Sequence, residues 1–188
     1  RRVLFRSPPG YTTITSIDRY VLPIESADAK THNAMRFYKN THHQIIIGRL
    51  KDLRAASKSV TLSTIITKIN QNGLLNLASF IKTFNSCAPF IHAWHLYKFI
   101  PEGRGGSINA ATLAIPDEEY DSLCRGVMDM SLPFKVFKRS DMYHSKTVDF
   151  FWQENASIRR ASDKRPSTLP RTYTADLCPC NALGRAPQ

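Results

Sequence analysis

The chain has 188 residues, of which 42% are hydrophobic, and carries a formal net charge of +11. That length suits one domain with a sizeable core. No apolar run approaches the roughly 18 residues of a spanning helix, which excludes a helical membrane protein and makes a cytoplasmic location the default expectation.

The opening RRVLFRS is too short and too polar for a signal peptide, and residues 1–10 read as an artefactual or unstructured start. Arg19–Glu25 (RYVLPIE) is an apolar run with a polar end, as in a buried parallel strand. Pro23 weakens it, because proline donates no ladder hydrogen bond. Asp28 to Phe37 suits a short helix. Between Thr41 and Ser57, Ile45, Ile46, Leu50, Leu53 and Ala56 recur at helical spacing. Val60–Lys68 (VTLSTIITK) is rich in β-branched residues and predicts a strand. Asn70, Asn72 and Gly73 turn the chain, and Leu74, Leu77, Ala78, Ile81 and Phe84 form a second helical face. Ile91–Phe99 predicts a third strand, closed by the loop PEGRGG. Its glycines could offer N–H groups to an anion, but the expectation is a flexible turn.

Pro116 followed by Asp117, Glu118 and Glu119 is a helix start, with acids at the positive end of the dipole. Tyr120, Leu123, Cys124, Val127 and Met128 line its predicted inner face. FKVFKR and TVDFFW predict a final hairpin or two edge strands. Strands alternating with helices imply βαβ units on a parallel sheet, an α/β fold. Residues 11–157 form the expected folded part, and 158–188 an unstructured tail.

Much of the charge excess lies at the two ends. Residues 1–7 hold three Arg and no acid, and residues 159–188 hold six Lys or Arg against Asp163 and Asp176. Solvated ends explain this more simply than a nucleic-acid-binding face does. Cys87, Cys124, Cys178 and Cys180 lack the spacing of a disulfide framework. The CPC at 178–180 supplies two thiolates, too few to close a metal site.

In parallel α/β folds, ligands bind at the carboxyl ends of the strands. Three polar clusters fall there: Glu25–Ser26, Thr64 to Asn70, and Lys98 to Arg104. His92 and His95 lie on opposite faces of one strand and cannot chelate one metal together. Trp94 and Leu96 read as core.

The segments LPIESADAKTHNAMR, STIITKIN and WHLYKFIPEGRGG, followed by IPDEEY, resemble in order and spacing the second half of radical S-adenosylmethionine enzymes. The corresponding family segments read roughly LPLDGxxxxxHxxMR, TVVTKxN and WKLFQFxPxGRG, and the viperin-like and molybdenum-cofactor GTP-cyclase-like branches are the nearest. The resemblance spans about 130 residues and implies a partial TIM-like (β/α) barrel, C-terminal half only. It implies S-adenosylmethionine and a [4Fe-4S] cluster as cofactors. Reductive cleavage of the first would yield a 5′-deoxyadenosyl radical that abstracts a substrate hydrogen. The cluster-binding CxxxCxxC run does not occur in this sequence, so the chain is expected to be inactive as it stands.

Carried over by position, Glu25, Ser26, Arg36, Thr64 and Asn70 would bind the cofactor, with Arg36 clamping its carboxylate. Lys68 and Lys98 would face substrate. Pro23 stands where viperin-like enzymes have a serine, which puts that contact in doubt. The implied partners are a small-molecule or peptide substrate and an electron donor such as flavodoxin or ferredoxin. The alternative is a basic, non-enzymatic nucleic-acid-binding module, against which the tail lacks aromatic residues among its basic ones. A further rival, a phosphate-binding barrel, would need a Gly-rich loop opening a helix after a strand, whereas PEGRGG is expected to precede a long spacer.

Overall fold

The computed structural model describes residues 10–17, 19–36, 40–140, 151–154, 157–160 and 173–174. Contacts divide the chain into residues 1–140 and 141–188.

The first unit carries a four-stranded sheet in the order β1-β2-β3-β4, every pair parallel. The strands are β1 (Arg19–Pro23), β2 (Ser59–Ile66), β3 (Ile91–Lys98) and β4 (Lys135–Arg139). Helices α1 (Ala29–Ala34) and α2 (His42–Ala55) join β1 to β2, and α3 (Leu74–Ser86) joins β2 to β3. Helices α4 (Gly103–Leu113) and α5 (Asp117–Asp129) lead into β4. The described part of the second unit is an antiparallel sheet of β5 (Phe151–Glu154), β6 (Ser157–Arg160) and β7 (Tyr173–Thr174), in that order.

One core lies between the sheet and its helices. Register aligns Leu22 with Leu62 and Leu62 with Trp94. With Ile24, Val60, Ile66 and Leu96, these pack against Ile46, Leu50 and Leu53 of α2, Leu77 and Ile81 of α3, and Tyr120 and Val127 of α5. Each such large apolar side chain contributes about 1.5–3 kcal/mol when fully buried. Alternation sends the intervening strand residues to the other face, where Val21, Ile65, Tyr97 and Phe137 are exposed.

Local chemistry explains the element ends. The Asp28 carboxylate accepts from Thr31 N at 2.7 Å and caps α1. The Asn85 side chain accepts from both Phe90 N and Ile91 N at 3.0 Å, tying the end of α3 to the start of β3. Tyr120, buried in α5, donates to Leu96 O at 2.7 Å and accepts from Arg139 N at 2.9 Å. It thereby joins the carboxyl ends of β3 and β4.

Several expectations are corrected. Of the two expectations for FKVFKR, the edge strand holds and the hairpin does not: Lys135–Arg139 is a fourth parallel strand beside β3, at the edge of the sheet. TVDFFW lies partly outside the described residues, and its Phe151 and Trp152 start β5. The GRGG run opens α4 and is no flexible turn. Gly106 lies against the preceding loop, where an added Cβ would come within 2.8 Å of Ile100 O. The first helix stops at Ala34, short of Phe37. Ile45 and Met128, expected inside, are exposed.

Candidate functional site

The end of β1 brings together Glu25, Ser26, Asn70, Arg36 and His32. Glu25 is the pivot and is almost fully buried. One carboxylate oxygen pairs with the Arg36 guanidinium. The other accepts from Ile65 N at 2.8 Å, bridging β1 to β2. Burial pushes the Glu25 carboxyl up, against the opposing pull of Arg36 and the Ile65 N–H.

Asn70 lies beneath this pair. Its amide donates to Glu25 O at 2.8 Å and Ile65 O at 2.9 Å, while its oxygen accepts from Thr67 N at 2.8 Å. Both of its amide protons are therefore used inside the protein. Thr64 is likewise committed: its hydroxyl bonds Ile24 O and accepts from Trp94 Nε1 at 2.9 Å. Thr64 belongs to the helix-facing side of β2, where it is fully buried. These two residues hold the strand ends that present Glu25, and they do not line an open surface.

Ser26 is buried, and its hydroxyl accepts from Asp28 N at 3.1 Å. Arg36 keeps an unused donor: its Nε is buried and has no hydrogen-bond partner. The Arg36 side chain is 24% exposed, so a second carboxylate can approach the guanidinium beside Glu25.

Sequence reasoning missed a histidine cluster behind Glu25. The Glu25 N–H donates to His32 Nδ1 at 3.0 Å. His32 Nε2 lies 2.7 Å from His42 Nδ1, and the two rings stack at 5.0 Å. His43 meets His32 edge-on at 5.2 Å. Because His32 Nδ1 accepts, a neutral His32 carries its proton on Nε2 and donates to His42. Burial and the neighbouring His42, His43 and Arg36 hold His32 down to about 3. Burial lowers His42 and His43 as well. The sequence did hold a signal, since His42 shares its buried stripe with Ile46 and Leu50 at i, i+4 and i+8.

The two lysines expected to face substrate bond to helices instead. Lys68 Nζ donates to Ala111 O at 2.9 Å, and Lys98 pairs with Asp117 in the first turn of α5. His92 and His95 fall on opposite faces of β3, Trp94 and Leu96 are buried, and His95 stacks among Tyr97 and Phe137. A groove lined by Arg54, Lys58, Phe90 and His92 opens at the amino ends of β2 and β3, away from Glu25. Among the described residues, no group of three His, Cys, Asp or Glu side chains could hold a metal ion. Cys178 and Cys180 lie outside those residues. No helix among the described residues is long and apolar enough to cross a membrane.

Comparison of the sequence with protein-family models and with curated proteins returns no match in either.

Proposed function

We propose that the first unit is the C-terminal part of a radical S-adenosylmethionine barrel, with Glu25, Ser26 and Arg36 at the polar end of the cofactor. The observation that carries this reading is the Arg36 guanidinium, held by a buried carboxylate at a strand's carboxyl end with its Nε unpartnered. A methionyl carboxylate is a planar two-oxygen acceptor that fits such a donor. The sheet supports the barrel reading too. Its order runs β1-β2-β3-β4 without reversing. A doubly wound sheet reverses at its switch point, whereas a barrel segment does not.

In this reading Thr64 and Asn70 are positioning residues. Asn70 holds the Glu25 and Ile65 carbonyls, so the Glu25 carboxylate meets Arg36 without rearrangement. Glu25 orients the guanidinium. Lys68, in the loop after β2, and Lys98, at the end of β3, would have to leave Ala111 O and Asp117 to meet a substrate. Bound S-adenosylmethionine would supply the precursor for hydrogen abstraction, with an electron from a flavodoxin- or ferredoxin-type donor. The described residues provide no ligand set for an iron–sulfur cluster, and no step through one is assigned to them.

Titration calorimetry with S-adenosylhomocysteine tests the cofactor site without needing turnover. The chain should bind at about 1 mM or tighter, roughly 4 kcal/mol of affinity. Arg36→Gln should weaken binding at least tenfold. Equal affinity in the two proteins, or no binding by the parent chain, overturns the reading.

A further inference from the structure

We propose that the open sheet face across β3 and β4 binds single-stranded nucleic acid. Alternation places His95 and Tyr97 of β3 on that face, and register sets Phe137 beside His95 and Arg139 beside Tyr97. The ring centroids of His95 lie 5.0 Å from Phe137 and 6.0 Å from Tyr97. The Arg139 guanidinium sits over the Phe137 ring, 5.4 Å from its centroid. Tyr97, on the inner strand β3, is 39% exposed, and Phe137, on the edge strand β4, is 36% exposed.

Three features favour this occupant. First, β4 alternates Lys135, Phe137 and Arg139 along one face, so each side of the central ring carries a cation. Neighbours at i and i+2 stand about 6.6 Å apart. A base stacked on Phe137 then has its flanking phosphates within reach of Lys135 and Arg139. This interleaving of rings and cations is what sequence-tolerant strand binding requires. Second, β1, β2, β3 and β4 contain no Asp or Glu, and Glu25, just beyond β1, is buried and paired with Arg36. Among the described strands of this sheet, no carboxylate repels phosphate. A second copy of the chain would instead set Lys135 and Arg139 against like charges. Third, the platform is preorganised: Tyr120 bonds the backbone of both strands at this end. Trp94 and Leu96 are fully buried on the opposite face. Burial and the nearby Arg139 and His92 lower His95, keeping its ring neutral at pH 7. A paired duplex hides its base faces, so stacking of this kind selects single strands.

The residues involved are distinct from Glu25, Ser26 and Arg36, and the proposal does not rest on the barrel reading, in which this helix-free face would turn inward. The test is fluorescence anisotropy of the full chain with a labelled oligothymidine of about twelve nucleotides. Phe137→Leu and Tyr97→Leu should each weaken binding about tenfold, with the Trp94 emission unchanged, while Phe137→Trp should retain it. Lys135→Ala should reduce the slope of log affinity against log salt by about 0.7. Leucine variants that bind like the parent would trace the binding to the charge of the chain ends and overturn the proposal. Equal affinity for a duplex, or equal competition by free thymidine monophosphate, would also overturn it.

Discussion

The side chain of Asn70 donates to the main-chain carbonyl of Glu25 across 2.8 Å, although the two residues are 45 positions apart. The same amide group reaches Ile65 O. One side chain thus joins the β2–α3 loop to the ends of β1 and β2, at the point where Glu25 meets Arg36. Asn70→Ala strands two carbonyls and should cost about 3 kcal/mol. Urea unfolding measures this, and a loss below about 1 kcal/mol would remove Asn70 from that role.

Arg36→Met leaves the Glu25 carboxylate buried with only the Ile65 N–H for company. Removing one partner of such a pair typically costs about 3–5 kcal/mol, and the partial exposure of Arg36 places this one near about 3. Adding Glu25→Gln should restore most of the loss. A double variant no more stable than Arg36→Met would show that the pair matters for packing and not for charge.

Protonation of His32 should control acid stability. In the unfolded chain His32 takes a proton near 6.5, whereas in the fold it resists down to about 3. Between those values the unfolded state binds more protons. Stability is therefore full above about 6.5 and declines as pH falls toward about 3. Glu25 acts with the opposite sign: its raised carboxyl stabilises the fold at low pH, a contribution lost as pH rises through its folded value. The urea midpoint of the parent chain should be lower at pH 5 than at pH 7.5. His32→Asn keeps an acceptor for the Glu25 N–H without the titration, and its midpoint should move less.

Two glycines should respond oppositely to alanine. At Gly106 a new Cβ would meet Ile100 O at 2.8 Å and Pro101 C at 2.9 Å, both backbone atoms. Gly106→Ala should destabilise by about 1–3 kcal/mol. At Gly48, within α2, nothing lies within 4 Å of the new Cβ. Gly48→Ala should stabilise by about 0.5–1 kcal/mol. Thermal unfolding of both variants decides the pair.

The strands and helices of the α/β order were legible because their apolar spacing is regular: Leu77, Ala78 and Ile81 repeat as a helix, and Val60 to Ile66 is β-branched. Glu25 and Arg36 were singled out by the family resemblance, and the fold does bring their side chains together. What stayed hidden depended on partners distant in sequence. FKVFKR alternates like an edge hairpin, and only Tyr120, bonding Arg139 N from another helix, shows where it docks. GRGG resembles a turn by composition, yet Gly106 is there for close approach to Ile100. Thr64 and Asn70 were picked out as cofactor contacts from position alone. Their internal bonds to Ile24, Trp94 and Glu25 emerge only once three strands lie side by side. His42 was passed over because histidine counts as polar, although its spacing to Ile46 already marked it as buried.

The all-parallel sheet also governs how this unit folds. Its pairings join Arg19 to Ser59, Val60 to Ile91 and Ala93 to Lys135, and each crosses an intervening helical segment. No strand can zip onto its neighbour through a tight turn, so each step must first close a long loop of still-disordered chain. High contact order of this kind slows the search for the native state. Each strand pairing must wait for the helical segment between its two strands, so the sheet is complete only once β4 has joined β3.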